Sequence, residues 1–168
     1  MKNSPQPTRK AATLKFWGEN LSLKDFTVMD ASGMIAGRLA SIAAKRLLRG
    51  EKIVIVNAEK AVLSGKRESR LREIKRFWEV VGRANPKRGP RHYRSPSSLL
   101  RDMVWGMLPR DRPRGREAFR RLRVYEGVPE SLSEASFERP PEASAEKLKH
   151  GYVSLAEICV ELGWRGKP

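Results

Sequence analysis

The stretch "KIVIVNA", residues 52–58, is a continuous run of mainly β-branched residues. Such a run is typical of a strand that is buried on both faces, as in a parallel sheet covered by helices. Upstream, "DFTVMDA" (25–31) predicts another strand with an apolar centre. Between the two, apolar residues recur at helical spacing and Gly50 lies where a helix should end. The region therefore predicts a strand–helix–strand unit.

The remaining chain continues this alternation of strands and helices. The predicted elements are a third strand at 60–65, helices at 66–82 and 96–108, a short helix at 116–122, a strand within 121–127 and a helix within 153–164. Ser154 is placed to cap the last helix, whose Leu155, Ile158, Cys159 and Leu162 are expected to face inward. We expect an α/β fold, a three-layer α/β/α sandwich with a mostly parallel four-stranded sheet, plus basic loops and terminal extensions.

Composition divides the chain into three parts. Residues 1–25 mix Pro, Lys, Ser and Asn and predict an N-terminal arm, partly disordered in isolation, that could dock through Phe16 and Trp17. Residues 26–127 predict the α/β core with its basic loops, and residues 128–168 a more acidic C-terminal extension that ends in a short helix.

The totals exclude several classes of protein. No run approaches the roughly 20 apolar residues that a membrane span needs, and the N-terminus lacks the apolar centre of a secretory signal. One cysteine and two widely separated histidines among 168 residues permit no internal disulfide and suggest no metal site. We expect a cytosolic protein without cofactor, metal or membrane partner.

The net charge of +16 is concentrated in the middle of the chain. Residues 65–124 carry 19 of the 35 basic side chains and six of the 19 acidic ones, and arginine far outnumbers lysine there. Such an excess is tolerated best beside a polyanion, and arginine suits bidentate phosphate contacts and stacking on bases. A run of cations can also be only a solvated face. For residues 66–76 taken alone, this interpretation is nearly as strong as binding to a polyanion.

The segment "NPKRGPRHYRSP" (85–96) favours the binding interpretation. It holds four cations, three prolines and no acid. The prolines restrict the backbone and lower the entropy cost of ordering, which charge for solubility alone would not need. Tyr93 lies among the cations, where it could stack on a base or lie against a sugar.

The turn "DASGMIAGR" (30–38) raises the question of a nucleotide site. A strand-to-helix turn with Gly33 and Gly37 could cradle a phosphate, and Glu59 lies near where a ribose-binding acid would be. However, the glycine patterns of dinucleotide and P-loop sites are absent. Glycines required for tight packing and an RNA phosphate site remain the other interpretations.

Catalytic candidates are lacking. No Ser/His/Asp set or carboxylate pair is suggested, and His92 stands among cations that disfavour its protonated form. Cys159 lies on an apolar helix face and is expected in the core. We expect a protein that is not an enzyme.

Four stretches resemble the large-subunit ribosomal protein L-thirteen family in its archaeal and eukaryotic form. They are "VMDASGMIAGRLAS", "NPKRGPRHYRSPS", "WGMLPRDRPRGREAFRRLRVYEGVP" and "LAEICVELGW", within a similarity from Phe26 to Trp164. The resemblance implies a four-stranded parallel α/β/α fold bound to large-subunit ribosomal RNA, without catalytic residues. The arm 1–25 and the acidic stretch 130–150 depart from the family pattern.

The predicted function is that of a structural constituent of the large ribosomal subunit, present in one copy and cytoplasmic. It would contact large-subunit rRNA and neighbouring ribosomal proteins, and take no small-molecule substrate. The predicted RNA-binding residues are Arg38, Lys45, Arg46, Lys66, Arg67, Arg70, Lys87, Arg88, Arg91, His92, Tyr93, Arg94, Arg110, Arg112, Arg114, Arg116 and Arg120. The alternatives are a free regulatory RNA-binding protein and a nucleotide-dependent enzyme on an α/β core.

Overall fold

The computed structural model describes residues 13–16, 19–22, 26–80 and 89–166 of the chain. Its strands are β1 (Thr13–Phe16), β2 (Glu19–Ser22), β3 (Thr27–Asp30), β4 (Ile53–Val56), β5 (Val62–Ser64), β6 (Leu122–Val124), β7 (Phe137–Glu138) and β8 (Tyr152–Ser154). Its helices are α1 (Ala36–Leu48), α2 (Arg67–Glu79), α3 (Pro96–Gly106), α4 (Pro113–Arg120) and α5 (Leu155–Glu161).

The central sheet has the strand order β6-β4-β3-β7, and every neighbouring pair is parallel. Helix α1 connects β3 to β4, as the strand–helix–strand prediction requires. All four residues of β4 are buried, which confirms the expectation from its unbroken apolar sequence. The α/β class and the parallel four-stranded sheet are thus confirmed.

The two faces of this sheet are covered differently. Helices α1, α3 and α4 pack on one face, where Met29, Ile55 and Leu39 belong to the largest buried cluster. On the other face, Val54 packs with Leu132, which lies in the 3-10 turn Glu130–Leu132. Within the described residues, the helical layers of the sandwich are therefore unequal in size.

The third predicted strand forms, but it lies outside the central sheet. β5 pairs antiparallel with β8, and its Leu63 lies opposite Val153. The fourth place in the central sheet belongs instead to β7, whose two residues pair with β3. The reason is not local: the partner strand β8 lies about 90 residues later in the chain, and beside the pair the Gly65 N–H donates to the Gly151 carbonyl at 2.8 Å. Neither β7 nor β8 was predicted from sequence.

The C-terminal part of the chain is integrated with the core. Ser154 caps α5 by accepting a hydrogen bond from the Glu157 N–H, and Ile158 and Cys159 are buried, as predicted. Helix α2 packs beside α5 through its predicted apolar face of Leu71, Ile74 and Trp78; Val81, assigned to the same face, lies outside the described residues. The division of the chain at residue 127 stays a prediction.

The predicted N-terminal arm, residues 1–25, lies partly outside the described residues. Within it, β1 and β2 form an antiparallel hairpin in which Thr13 pairs with Ser22 and Phe16 with Glu19. Neither strand was predicted: each is only four residues long, which is too short for a reliable pattern, although Thr13–Phe16 does alternate polar and apolar residues. Among the described helices, none combines the length and the apolar character needed to cross a membrane.

Candidate nucleic-acid interface

The loop before α3, residues 89–94, is held by aromatic side chains of α2. The His92 ring lies 5.7 Å from Phe77 and 5.5 Å from Trp78, measured between ring centroids. The Arg94 guanidinium lies 5.3 Å from the centre of the Trp78 ring, a cation–π contact. His92 and Arg94 thus anchor the loop to the protein, while Arg91 is exposed. Lys87 and Arg88, predicted to bind RNA, lie outside the described residues.

The second basic segment, residues 109–116, is a turn braced by its own arginines. Arg110 donates through Nε to the Trp105 carbonyl at 3.3 Å and lies over the Trp105 ring at 5.9 Å. Arg116 donates to the Arg110 carbonyl at 3.4 Å, and Arg114 donates to the Leu48 carbonyl at 3.1 Å. These contacts fix the backbone and leave the exposed guanidinium groups on the outer surface of the turn.

Gly115 allows this turn to close. A Cβ at Gly115 would lie 1.9 Å from the Pro109 carbonyl oxygen, a distance that no side chain could tolerate without backbone movement. Pro113 starts α4, where its missing N–H costs no helical hydrogen bond. The turn geometry therefore depends on these two residue types.

Helix α3 sets the spacing between the two basic segments. Its eleven residues span roughly 16 Å, with Ser95 as the N-cap accepting from the Ser98 N–H, and with Leu100 and Val104 buried against the core. The loop precedes this helix and the turn follows it. Arg91 and Tyr93 of the loop and Arg110 of the turn line one open hollow of about 650 Å³.

Several residues of this hollow were missed by sequence reasoning. The Arg101 guanidinium lies 4.6 Å from the centre of the Phe119 ring, and Trp105 packs on Phe119 with ring centroids 4.6 Å apart. The spacing of Arg101 and Trp105, one helical turn apart, was the available signal. Burial lowers the pKa of Arg123, and the positive charge of Arg101 adds to this lowering.

The predicted cations of α1 lie in a different setting. Arg46 makes a bidentate ion pair with Glu138 at 2.6 and 2.7 Å, and these hydrogen bonds raise the pKa of Arg46. The pair joins α1 to β7. Arg38 and Lys45 are exposed on the same helix. Arg46 is thus engaged within the protein, unlike exposed Lys45.

The predicted cations of α2 are partly engaged with the protein as well. Arg67 pairs with Glu161 of α5. Arg70 donates to the Ser64 carbonyl at 2.7 Å and to Glu73 at 2.8 Å. Lys66, at the N-cap of α2, is exposed. These contacts favour a structural role for Arg67 and Arg70 and leave Lys66 accessible.

The glycine turn offers little to a phosphate. The N–H of Gly33 donates to the Lys60 carbonyl at 3.1 Å, and the N–H of Ile35 donates to the Ala143 carbonyl at 2.7 Å. Arg38 reaches the Glu142 carbonyl at 3.4 Å. Gly33 adopts the left-handed φ of 66°, which favours glycine there. A Cβ at Gly33 or Gly37 would meet nothing within 4 Å, so the tight packing expected from the sequence is not the reason for either glycine.

The acids of this region are structural. Glu59, considered as a ribose ligand, is buried and accepts the Gly127 N–H at 3.0 Å. Burial of Asp30 opposes its charged form, but hydrogen bonds from Asn57, Ser32 and Arg139 outweigh burial and lower its pKa to about 2. Asn57 adopts the left-handed φ of 55° to reach Asp30. Both carboxylates therefore hold loops together.

Cys159 is confirmed as a core residue. It is fully buried, and burial, with a smaller effect of Glu126, raises the pKa of its thiol to about 12. A thiol in this state is a poor nucleophile. Within the described residues, no group of three or more potential ligands is arranged to hold a metal ion.

Comparisons with known proteins place the sequence among ribosomal proteins. The profile of the family described as ribosomal protein L13 matches residues 24–131. A protein of Archaeoglobus fulgidus, named large ribosomal subunit protein uL13, is 49% identical over 144 residues, which cover 84% of this chain and 90% of the relative. Proteins of the same name from Methanopyrus kandleri and Methanocaldococcus jannaschii are 44% and 43% identical, covering 84% and 82% of this chain and 89% and 97% of the relatives.

Proposed function

The chain belongs to the ribosomal protein L13 family, and from this membership we propose that it binds large-subunit rRNA through the two basic segments that flank α3. It is a protein of the large ribosomal subunit, and the family consists of structural ribosomal proteins rather than enzymes. In archaea, the source of these relatives, large ribosomal subunits are cytoplasmic, so the protein acts in the cytoplasm.

The observation that carries the proposal is the convergence of the loop and the turn beside one helix. Arg91, Arg112 and Arg116 are exposed there, on backbone that stacking and hydrogen bonds hold in place. Fixed cations lose little entropy when they meet phosphates, so an ordered basic face binds RNA better than flexible cations of equal number. Phosphate contacts would supply affinity and register, and Tyr93 would contact a base or sugar.

Other predicted contacts take secondary places in this proposal. Lys45, Lys66 and Arg38 are exposed and would contact phosphates outside the main face. Arg120 lies on α4 beside the basic turn and would extend the main face. Lys87 and Arg88 precede the loop in sequence, and together with Arg91 and Arg94 they place four cations within eight residues; they would add phosphate contacts.

A salt titration of binding to a large-subunit rRNA fragment tests the proposal. Each phosphate contact contributes roughly 0.7–0.9 to the slope of log K against log salt. Replacing Arg91, Arg112 and Arg116 together by Ala should lower the slope by about two to three units, with circular dichroism showing an intact fold. An unchanged slope in the folded triple variant would mean that this face is merely solvated.

A matched control removes the same charge elsewhere. Lys147, Lys149 and Arg165 are exposed in the acidic C-terminal part of the chain. Their joint replacement by Ala should leave most of the slope in place, because they lie outside the proposed face. Equal losses of salt slope in both triple variants would show that binding depends on the net charge alone and not on the position of the cations.

Sedimentation separates the ribosomal role from that of a free regulatory RNA-binding protein. One copy per large subunit and neighbouring ribosomal proteins as partners belong to this proposal. We expect the protein to co-sediment quantitatively with large subunits and to crosslink to rRNA and adjacent proteins. A substantial pool of active protein outside particles would favour the regulatory alternative.

Titration with ATP or NAD tests the alternative of a nucleotide-dependent enzyme. It should show no saturable site, in keeping with the engagement of Glu59 by Gly127.

A further inference from the structure

The hollow beside α3 combines rings and charges in a way that phosphate binding alone does not require. Its volume of about 650 Å³ falls in the range of small-molecule pockets, roughly 300–1,000 Å³. Four aromatic side chains (Phe77, Tyr93, Trp105, Phe119), three arginines (Arg91, Arg101, Arg110) and one acid (Asp102) are among the residues that line it. Aromatic faces and guanidinium planes are the surfaces on which unstacked bases of RNA lie.

Two groups in this hollow have no partner among the described residues. Tyr93 contacts no other aromatic ring, although Phe77 packs against His92 and Trp105 against Phe119. Asp102 takes part in no hydrogen bond or ion pair within the described part of the chain, although three arginines line the same hollow. A half-buried ring and a half-buried carboxylate are thus left available to a ligand in one place.

The carboxylate selects among the four bases. The Watson–Crick edge of guanine presents two adjacent donors, N1–H and the N2 amino group, which match the two oxygens of a carboxylate. Adenine and cytosine present one donor beside an acceptor nitrogen, and uracil presents one donor between two carbonyls, so each would oppose an acceptor to the carboxylate. Arginine favours the O6 and N7 acceptors of guanine.

We propose that this hollow takes an unstacked guanine base of the bound RNA, with its ring on Tyr93, its Watson–Crick donors on Asp102 and its carbonyl edge toward an arginine. The assignment rests on the proposed RNA-binding function and adds a base-specific contact to it. It also gives a role to an acid in a strongly basic face: the negative charge of Asp102 repels phosphate, whereas its two oxygens match the one base that offers two adjacent donors.

Short RNAs test this assignment without knowledge of the natural site. The probes are fluorescein-labelled U-tract heptamers with G, A, C or U at the centre, titrated with the full chain in a fluorescence anisotropy assay at fixed salt. A bidentate base contact discriminates by roughly 5- to 150-fold. We therefore expect the G-centred heptamer to bind at least about fivefold more tightly than the other three.

Substitution of Asp102 gives a change in a direction that electrostatics alone would not produce. Asp102→Asn should reduce the affinity for the G-centred heptamer to that for the A-centred one, while the U heptamer binds equally well or better because a negative charge is lost. Glu117→Gln removes the same charge from an exposed position on α4 and should preserve the preference for G. Tyr93→Ala should weaken binding of the G-centred heptamer by roughly 5- to 150-fold, whereas Tyr93→Phe should keep it.

Three results would overturn the assignment: equal binding of the four heptamers, a preference for G that survives Asp102→Asn, or competition by free GMP as strong as that by the G-centred heptamer. The last result would assign the hollow to free nucleotides. Salt-dependent binding of the rRNA fragment without any base preference would refute the guanine site and leave the proposed function standing. Failure of both assays would refute the proposed function as well.

Discussion

Arginine plays two different parts in two regions of this molecule. On the side of β7 and α5, Arg46, Arg139 and Arg67 each pair with a carboxylate. Beside α3, Arg94, Arg101 and Arg110 lie on aromatic rings instead. The charge of each paired arginine is neutralised by a carboxylate within the protein, whereas contact with a ring leaves the positive charge of an arginine unneutralised.

The difference follows from where the acids lie in the sequence. Residues 125–168 carry eight of the 19 acidic side chains and fold back onto α1, β3 and α2. The segment 65–124 carries six, and one acid from elsewhere, Glu161, pairs with its Arg67. The density of positive charge alone therefore does not identify a binding face; the supply of carboxylates in the fold decides which arginines remain available.

The largest expected effect removes the basic turn altogether. Gly115→Ala should destabilise the protein by about 3 kcal/mol or more, because its Cβ would collide with the Pro109 carbonyl. Chemical denaturation measures the change in the free energy of unfolding. Gly37→Ala is the control: a Cβ at Gly37 meets nothing within 4 Å in helix α1, so this change should stabilise by roughly 0.5–1 kcal/mol. Equal effects would show that the turn has room to adjust.

The second effect concerns the paired side of the molecule and its pH dependence. The pKa of Asp30 is lowered to about 2 from 3.8, so its charged form stabilises the fold above the ordinary pKa. This contribution, about 2 kcal/mol, is lost as the pH falls through the folded-state value. Unfolding titrations between pH 5 and pH 2 should show this loss in the wild type and a flatter profile in Asp30→Asn. Parallel profiles would contradict the stabilised carboxylate.

The third effect separates stability from binding on a paired arginine. Arg46→Ala should lower the free energy of unfolding by about 1 kcal/mol, since the pair with Glu138 is bidentate but partly exposed. The salt slope of rRNA binding should remain that of the wild type. A drop of nearly one unit in the slope would show that Arg46 leaves Glu138 for a phosphate.

The smallest effect on stability is expected from an arginine that has no carboxylate partner among the described residues. Arg91→Ala should change the free energy of unfolding by less than about 0.5 kcal/mol, because the side chain is exposed on the loop. Its salt slope should fall by roughly 0.7–0.9. The two variants should thus behave in opposite ways: Arg46→Ala lowers stability and leaves the salt slope unchanged, whereas Arg91→Ala lowers the salt slope and leaves stability nearly unchanged. Loss of stability in Arg91→Ala without a change in slope would reverse the comparison.

The sequence was informative where a local pattern determined the structure. The apolar run of β4, the helical spacing in α1 and the Ser154 cap each specify their element within a few residues. The pairing of β5 with β8, and the place of β7 in the sheet, depend on contacts some 90 to 110 residues apart, which no local pattern encodes.

The candidate site shows the same division. Proline and charge identified the loop and the turn as ordered basic segments, but the hollow between them depends on how α3 and α4 pack. Arg101 and Trp105 appeared in the sequence as part of an ordinary amphipathic helix. Similarly, Arg46 could not be distinguished from Arg91 before the position of Glu138 was known.

The place of β7 at the edge of the sheet has a consequence for the protein during its synthesis. Synthesis delivers β3, α1 and β4 early, and these form contacts of low sequence separation. The partners on the β7 side arrive late: Glu138 follows Arg46 by 92 residues and Arg139 follows Asp30 by 109. Until then, the outer edge of β3 is an unpaired strand with free backbone groups, a template for association with other chains. Synthesis of the C-terminal segment thus covers the strand edge at which the nascent chain could aggregate.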